Sequence, residues 1–211
     1  MRIFLGEITP KPLPDSIVST SGLWGKEFTF ELGKSFCLMA QSGKGKSTLL
    51  HIIFGLRKDY TGHCKFDHSD IAHFTLDQWQ GLRSDKLSIL FQDLRLFNNL
   101  SARENLELIP CRDPNAPDPV DMCERLNIAH LLDHLVENLS FGQRQRFALI
   151  RCLMKPFCWL LLDEPFSHLD EANAKEAALL ISENIKARGA GIILTSLEAN
   201  GPLLCDEVIQ L

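Results

Sequence analysis

No apolar run in this chain approaches the roughly 20 residues that a helix needs to span a bilayer. A membrane role must therefore come through a partner. No secretory signal is recognisable, so a cytosolic chain is expected. A basic excess is also missing. The formal net charge is −5, and nucleic-acid binding usually shows a basic face, so no nucleic-acid partner is expected. Seven cysteines occur without a single Cys-x-x-Cys pair, and their number is odd. That pattern suits a reducing compartment better than a disulfide framework. Cys37, Cys152 and Cys158 lie in apolar segments and read as small core residues. Histidine, finally, is absent from everything after His168.

What is present is legible as chemistry. A chain of 211 residues with 45% hydrophobic content can bury one sizeable α/β core. Ala40-Gln41-Ser42-Gly43-Lys44-Gly45-Lys46-Ser47-Thr48 follows the apolar run Phe36-Cys37-Leu38-Met39 and precedes Leu49-Leu50-His51-Ile52-Ile53-Phe54. This is a strand, a phosphate-binding loop and a helix, in that order. Backbone N–H groups and a helix N-terminus would surround a polyphosphate, Lys46 would reach its β- and γ-phosphates, and Ser47 would ligate Mg²⁺. The usual first glycine of such a loop is Ala40 here. A nucleoside triphosphate is the expected ligand, ATP by the resemblance drawn below.

Phe157-Cys158-Trp159-Leu160-Leu161-Leu162 is continuously apolar, as a strand buried on both faces should be, and it ends in Asp163-Glu164-Pro165. Two adjacent acids at a buried strand end are costly unless a cation or a proton-transfer task holds them there. The natural division gives Asp163 to Mg²⁺ and Glu164 to the attacking water as general base.

Leu139-Ser140-Phe141-Gly142-Gln143-Arg144-Gln145-Arg146 resembles the Leu-Ser-Gly-Gly-Gln signature of ATP-binding cassette (ABC) ATPases. Phe91-Gln92-Asp93 is similar to the Q-loop of that family, and Ser167-His168-Leu169-Asp170 to its D-loop. Gly33-Lys34 resembles its Gly-Glu before the first core strand. The resemblance runs from about Phe28 to Leu211. It implies an α/β P-loop NTPase core with a mainly parallel sheet, an N-terminal antiparallel β-subdomain and a small helical insert. The core is expected over 1–97 and 139–211, with the insert over 98–138. The helix before Phe91 and the stretch from Leu96 to Leu106 are similar to the lipoprotein-release and MacB-like branch, although importer ATPases share much of them.

The resemblance also implies roles. Gln92 would reach Mg²⁺ or the attacking water, and the Ser140, Gly142 and Gln143 loop would close on the γ-phosphate held by a second cassette. Gln41 through Thr48 would hold the phosphates on the first. The implied partners are a second nucleotide-binding subunit and a transmembrane permease, which would place the chain peripherally on the inner face of the membrane. An aromatic should stack on adenine. Trp24 is the nearest candidate, with a packing role as its alternative.

Local signals fill in the elements. Arg2 to Leu5 predicts a short edge strand, Pro10, Pro12 and Pro14 interrupt it, and Phe28 to Leu32 alternates as a strand. Helices are expected over Thr75 to Lys86, over Val120 to Leu135, and from Glu171 with Asp170 as N-cap and Gly189 as stop. Arg144, Arg146 and Arg151 read as a solvated or salt-bridged helix face. After the strand Ile192-Ile193-Leu194 the family pattern breaks: Thr195-Ser196-Leu197-Glu198 stands where a switch histidine is usual, and a carboxylate at Glu198 would repel phosphate. With Ala40 and Phe141 this makes three departures. Slow hydrolysis is the expectation, with a degenerate subunit that binds ATP without turnover as the alternative. A soluble ABC protein of translation or DNA repair fits less well, because tandem cassettes and long coiled-coil inserts are absent.

Overall fold

The computed structural model describes residues 1–197 and 201–211. Its first half builds a small antiparallel sheet around the phosphate-loop unit. β1 (Ile3–Pro10) leads to α1 (Asp15–Thr20), β2 (Phe28–Phe30), β3 (Ser35–Met39) and α2 (Lys46–Ile53), and then to β4 (Tyr60–Phe66) and β5 (Ser69–Asp70). β1 pairs antiparallel with β2 through Ile3↔Phe30 and with β4 through Ile3↔Phe66, giving the order β2-β1-β4-β5. The expected short edge strand is thus corrected to a longer interior one. Ile3, Leu5 and Ile8 are fully buried, and neighbours on both sides satisfy the strand's backbone. The strand stops at Pro10, beyond which the Lys11 N–H makes one further bond, to Asp59 O (2.8 Å).

The second half supplies α3 (Leu76–Asp85), β6 (Leu87–Leu90), α4 (Ala102–Glu107), α5 (Pro119–Arg125), α6 (Phe141–Leu153), β7 (Trp159–Leu162), α7 (Glu171–Arg188), β8 (Gly191–Ser196) and β9 (Glu207–Gln210). β6, β7, β8, β3 and β9 lie side by side in that order, and every pairing is parallel. α3 fills the expected helix, capped by a reciprocal pair of bonds between Thr75 and Gln78. Its buried residue is Trp79, whereas Leu76 is 85% exposed.

The single helix expected over Val120 to Leu135 is broken. α5 ends at Arg125, Asn127 takes a left-handed φ of 52°, and a 3₁₀ turn follows at Ala129–Leu131. Asparagine tolerates that conformation, and the turn lets Leu126 and Ile128 both enter the core. Asp170 and Gly189 cap α7 as expected, the glycine at φ 58°.

Strand alternation sorts the core into two layers. On one face of the parallel sheet, Cys37, Leu160, Leu162, Ile192 and Leu194 meet α6 and α7. On the other, Phe36, Leu38, Trp159, Leu161 and Ile193 meet α2 and the antiparallel sheet. Burial of each such side chain contributes about 1.5–3 kcal/mol. The expected solvated arginine face of α6 is corrected in part. Arg146 donates to Leu126 O (2.6 Å) and Asn173 Oδ1 (2.9 Å), and Arg151 to Leu94 O (2.8 Å). Both guanidiniums are half-buried and tie α6 to neighbouring segments, because backbone carbonyls there need donors.

Candidate nucleotide site

The parallel strands β3, β7 and β8 end together, and their C-terminal ends carry the expected site residues. Past β3 the chain turns through Gly43 (φ 82°) and Gly45 (φ 92°) into α2. Both conformations favour glycine. Gly45 is doubly constrained, since a Cβ there would lie 3.0 Å from the Trp24 ring. Trp24 is only 1% exposed, and its Nε1 donates to Lys44 O at 3.1 Å. It forms the floor beneath the phosphate loop, so of its two sequence readings the packing role holds. The start of α2 has no side-chain cap, which leaves its first N–H groups for another acceptor.

Lys46 is 5% exposed. Its Nζ donates to Ala40 O (2.6 Å) and Gln41 O (3.4 Å) and stands 3.4 Å from Glu164 Oε1. Ala40 is itself buried and contributes its carbonyl to Lys46.

Past β7, Asp163 is 3% exposed. Its Oδ1 accepts a bond from Thr195 Oγ1 (2.7 Å), while its Oδ2 is buried with no hydrogen-bond partner among the described residues. Thr195 Oγ1 in turn accepts from the Glu164 N–H (2.9 Å), so one hydroxyl at the end of β8 ties the Asp163 carboxylate to the Glu164 backbone. Glu164 adopts φ 49°, and its carbonyl accepts from Gln145 Nε2 (3.0 Å) and Ser167 Oγ (3.1 Å). Thr195 and Gln145 were not singled out by the sequence. Thr195 carries a signal, a hydroxyl ending a buried strand; a buried Gln145 after the signature carries little.

Two clefts meet at these residues. One of about 210 Å³ is lined by Ser42, Gly43, Gly45, Lys46, Ser47 and Thr48, together with Gln92, Glu164, Pro10, Pro12, Leu13 and Arg57. A second of about 450 Å³ brings Ser47, Gln92 and Asp163 to one surface, with His51, Asp93, Arg95, Phe141 and His168 around them. Burial holds the His51 imidazole below its usual range, against the pull of Asp163. The three residues expected to hold Mg²⁺ thus line one cleft. They offer a hydroxyl, an amide oxygen and the unpartnered buried oxygen of Asp163, a hard donor set that suits Mg²⁺ together with water.

Ser140, Gly142 and Gln143 do not line the phosphate-loop cleft. Ser140 caps α6, with its Oγ accepting from Gln143 N (3.3 Å) and its N–H donating to Gln143 Oε1 (2.8 Å). Phe141 needs no left-handed backbone, and its ring packs edge-on against His168 with centroids 4.3 Å apart. A Cβ at Gly142 would lie 2.6 Å from His168 O, so a glycine is required at this contact with the loop past Glu164. β8 ends at Ser196 and Leu197 follows; Glu198 lies outside the described residues.

The ABC transporter family profile matches residues 23–167. The thiamine import ATP-binding protein ThiQ of Vibrio parahaemolyticus is 35% identical over 181 residues, covering 81% of this chain and 72% of that protein. The lipoprotein-releasing system ATP-binding protein LolD of Shewanella frigidimarina is 29% identical, covering 86% and 78%. The dimeric structure of MJ0796, a bacterial ABC transporter cassette, superposes with a TM-score of 0.83 over 100% of this chain and 94% of that one, at 23% identity. Phosphate loop, paired acids and signature helix stand in one fold, and the family profile spans all three. The chain accordingly belongs to the ABC transporter family, as an ATP-binding subunit with the ATPase core.

Proposed function

We propose that this chain hydrolyses ATP slowly and passes the resulting motion to a separate membrane subunit. The observation that carries the reading is the convergence of Lys46, Glu164 and Asp163, with Glu164 Oε1 3.4 Å from the lysine and one Asp163 oxygen buried without a partner. Gln41 through Thr48 cradle the phosphates with backbone N–H groups, and Lys46 neutralises the β- and γ-oxygens. Ser47, Gln92 and Asp163 would hold Mg²⁺, which when bound offsets charge on the phosphoryl oxygens. Glu164 takes a proton from the attacking water, Gln92 orients that water, and Thr195 ties the Asp163 carboxylate to the Glu164 backbone N–H.

Ser140, Gly142 and Gln143 do not line the phosphate-loop cleft of their own chain, which supports their use by a second copy or a related cassette. A head-to-tail pair makes that interface self-complementary. Neither Ser196 nor Leu197 offers an imidazole, so one group that stabilises developing charge on the γ-phosphate is missing. The insert over 98–138 borders a groove of about 640 Å³ whose walls include Phe91, Phe97, Leu108 and Arg151. Phe97 and Leu108 are 55% and 50% exposed, and this apolar surface suits the permease. Among the described residues no helix is long and apolar enough to cross a membrane, which is consistent with attachment to the inner face through that partner.

The test is phosphate release from the purified chain, with nucleotide binding confirmed separately and Glu164→Gln as control. Turnover lost in the variant supports the reading. Equal release from both would overturn the role of Glu164.

A further inference from the structure

Two groups of residues in the lining of the phosphate-loop cleft are chemically unlike. Lys46 stands 3.4 Å from Glu164 in one, and Arg57 bonds Thr48 Oγ1 and Lys11 O in the other. A phosphate loop presents its lysine to the β- and γ-phosphates and its backbone to the α- and β-phosphates. The nucleoside end of a bound triphosphate therefore falls on the Arg57 side.

Arg57 is held in place from three directions. Its Nε donates to Asp59 Oδ1 (2.7 Å), and its Nη2 donates to Asp59 Oδ2 (2.9 Å) and to Lys11 O (2.6 Å). Its Nη1 donates to Thr48 Oγ1 at 3.1 Å. A guanidinium carries five N–H donors. These bonds leave one N–H on Nη1, beside the last residue of the phosphate loop. The fork is pre-organised, so little side-chain entropy opposes a further bond to an anionic oxygen.

Lys11, which Arg57 holds, lies between Pro10 and Pro12, and these prolines with Leu13 complete the lining on this side. Among the described residues no aromatic ring lines the cleft, and Trp24 is committed beneath the loop. Proline and leucine side chains offer apolar contact to any base but no donor or acceptor to read a base edge.

We propose that Arg57 contacts the α-phosphate of the bound nucleotide, and that the site selects a triphosphate with little discrimination between bases. The inference rests on the nucleotide-binding reading above and extends it to a residue and a specificity. Calorimetric titration of the intact chain with ATP, GTP and CTP in the presence of Mg²⁺ tests it, using wild type, Arg57→Gln, Arg57→Lys, Asp59→Asn and Lys46→Ala.

The wild type should bind all three nucleotides within about fivefold of one another. Arg57→Gln should weaken each by roughly tenfold, the scale of one charge-assisted hydrogen bond. Arg57→Lys should recover most of that loss. Asp59→Asn disturbs the same anchoring while keeping the guanidinium, and should stay within about twofold of wild type. A preference for one base above about fiftyfold overturns the specificity. Unchanged binding in Arg57→Gln overturns the contact, and so does an Asp59→Asn loss as large as that of Arg57→Gln, because the arginine would then act only by holding Lys11 and Asp59. Absence of any binding by wild type, with Lys46→Ala no different, refutes the underlying nucleotide reading.

Discussion

Lys46 Nζ stands 3.4 Å from Glu164 Oε1, with the two side chains 5% and 17% exposed. The phosphate-loop lysine and the carboxylate at the end of β7 therefore share one small, poorly solvated space. Any phosphate that reaches Lys46 must also approach a negative charge. Neutralising Glu164 should consequently tighten nucleotide binding even as it removes the general base. For Glu164→Gln we expect ATP affinity to rise about fivefold, on the order of 1 kcal/mol of relieved repulsion. Turnover should fall at least about 100-fold, the usual minimum contribution of a positioned base. Binding by calorimetry and phosphate release on the same preparation separate the two effects, and weaker binding would contradict the shared-space argument.

Thr195 is the hinge pin of the acid pair. Its hydroxyl, itself buried, donates to the buried Asp163 Oδ1 and accepts from the part-buried Glu164 N–H. Thr195→Val keeps the volume but leaves a buried carboxylate and a part-buried N–H without that partner. The expected cost is about 1–3 kcal/mol of stability, read as a fall of roughly 2–4 °C in Tm for each kcal/mol. Thr195→Ser should restore most of it. A valine variant as stable as wild type would show that these bonds carry no net stability.

The site was legible where local sequence sets local chemistry. Lys46, Ser47, Asp163 and Glu164 follow strand ends, and a strand end is visible as an apolar run that stops. Position in space was less legible. Trp24 is 20 residues from the carbonyl it supports, and nothing in its neighbours indicates that it lies under Gly45. β1 reads as a short edge because prolines follow it, yet its place inside the sheet depends on β4, far along the chain. The break at Asn127 escaped for the opposite reason. Met122, Cys123, Leu126 and Ala129 keep helical spacing, whereas Leu126 and Ile128, two apart, would face opposite sides of one helix, and their shared burial requires the left-handed turn between them.

Phe141 departs from the family pattern but has acquired a neighbour. Its ring meets His168 at 4.3 Å between centroids, and this contact joins the signature helix to the loop past Glu164 within one chain. An aromatic pair of this kind contributes about 0.5–1.5 kcal/mol beyond simple burial. A double-mutant cycle with Phe141→Ala and His168→Ala should therefore be non-additive, the double variant costing about 0.5–1.5 kcal/mol less than the two singles summed. Urea midpoints measure it. Strict additivity would mean that the rings are neighbours without energetic coupling.

The ion pair of Arg188 and Asp113 sets an acid limit on the fold. Arg188 Nε donates to Asp113 Oδ2 at 2.9 Å, and the side chains are only 10% and 11% exposed. Arg188 also donates to Asn184 Oδ1 (2.6 Å) and Leu153 O (3.1 Å), and lies over the Phe157 ring at 4.6 Å. The last turn of α7 thus fastens the segment that precedes α5. Burial alone would raise the Asp113 carboxyl. The Asn115 N–H and the Arg188 guanidinium outweigh it and hold the group below the usual carboxylate range. The sign of the linkage follows. The unfolded chain takes up the proton first, so the stabilisation is complete above the ordinary carboxylate value near 4 and is lost as pH falls through the lower folded value. Asp113→Asn should cost about 3 kcal/mol at neutral pH, because it leaves a buried guanidinium unpaired. The gap between wild type and variant should then narrow as pH drops below about 4. Denaturant midpoints for both proteins from pH 7 to pH 3 decide the matter, and a gap that stays constant across that range would show that Asp113 contributes nothing through its charge.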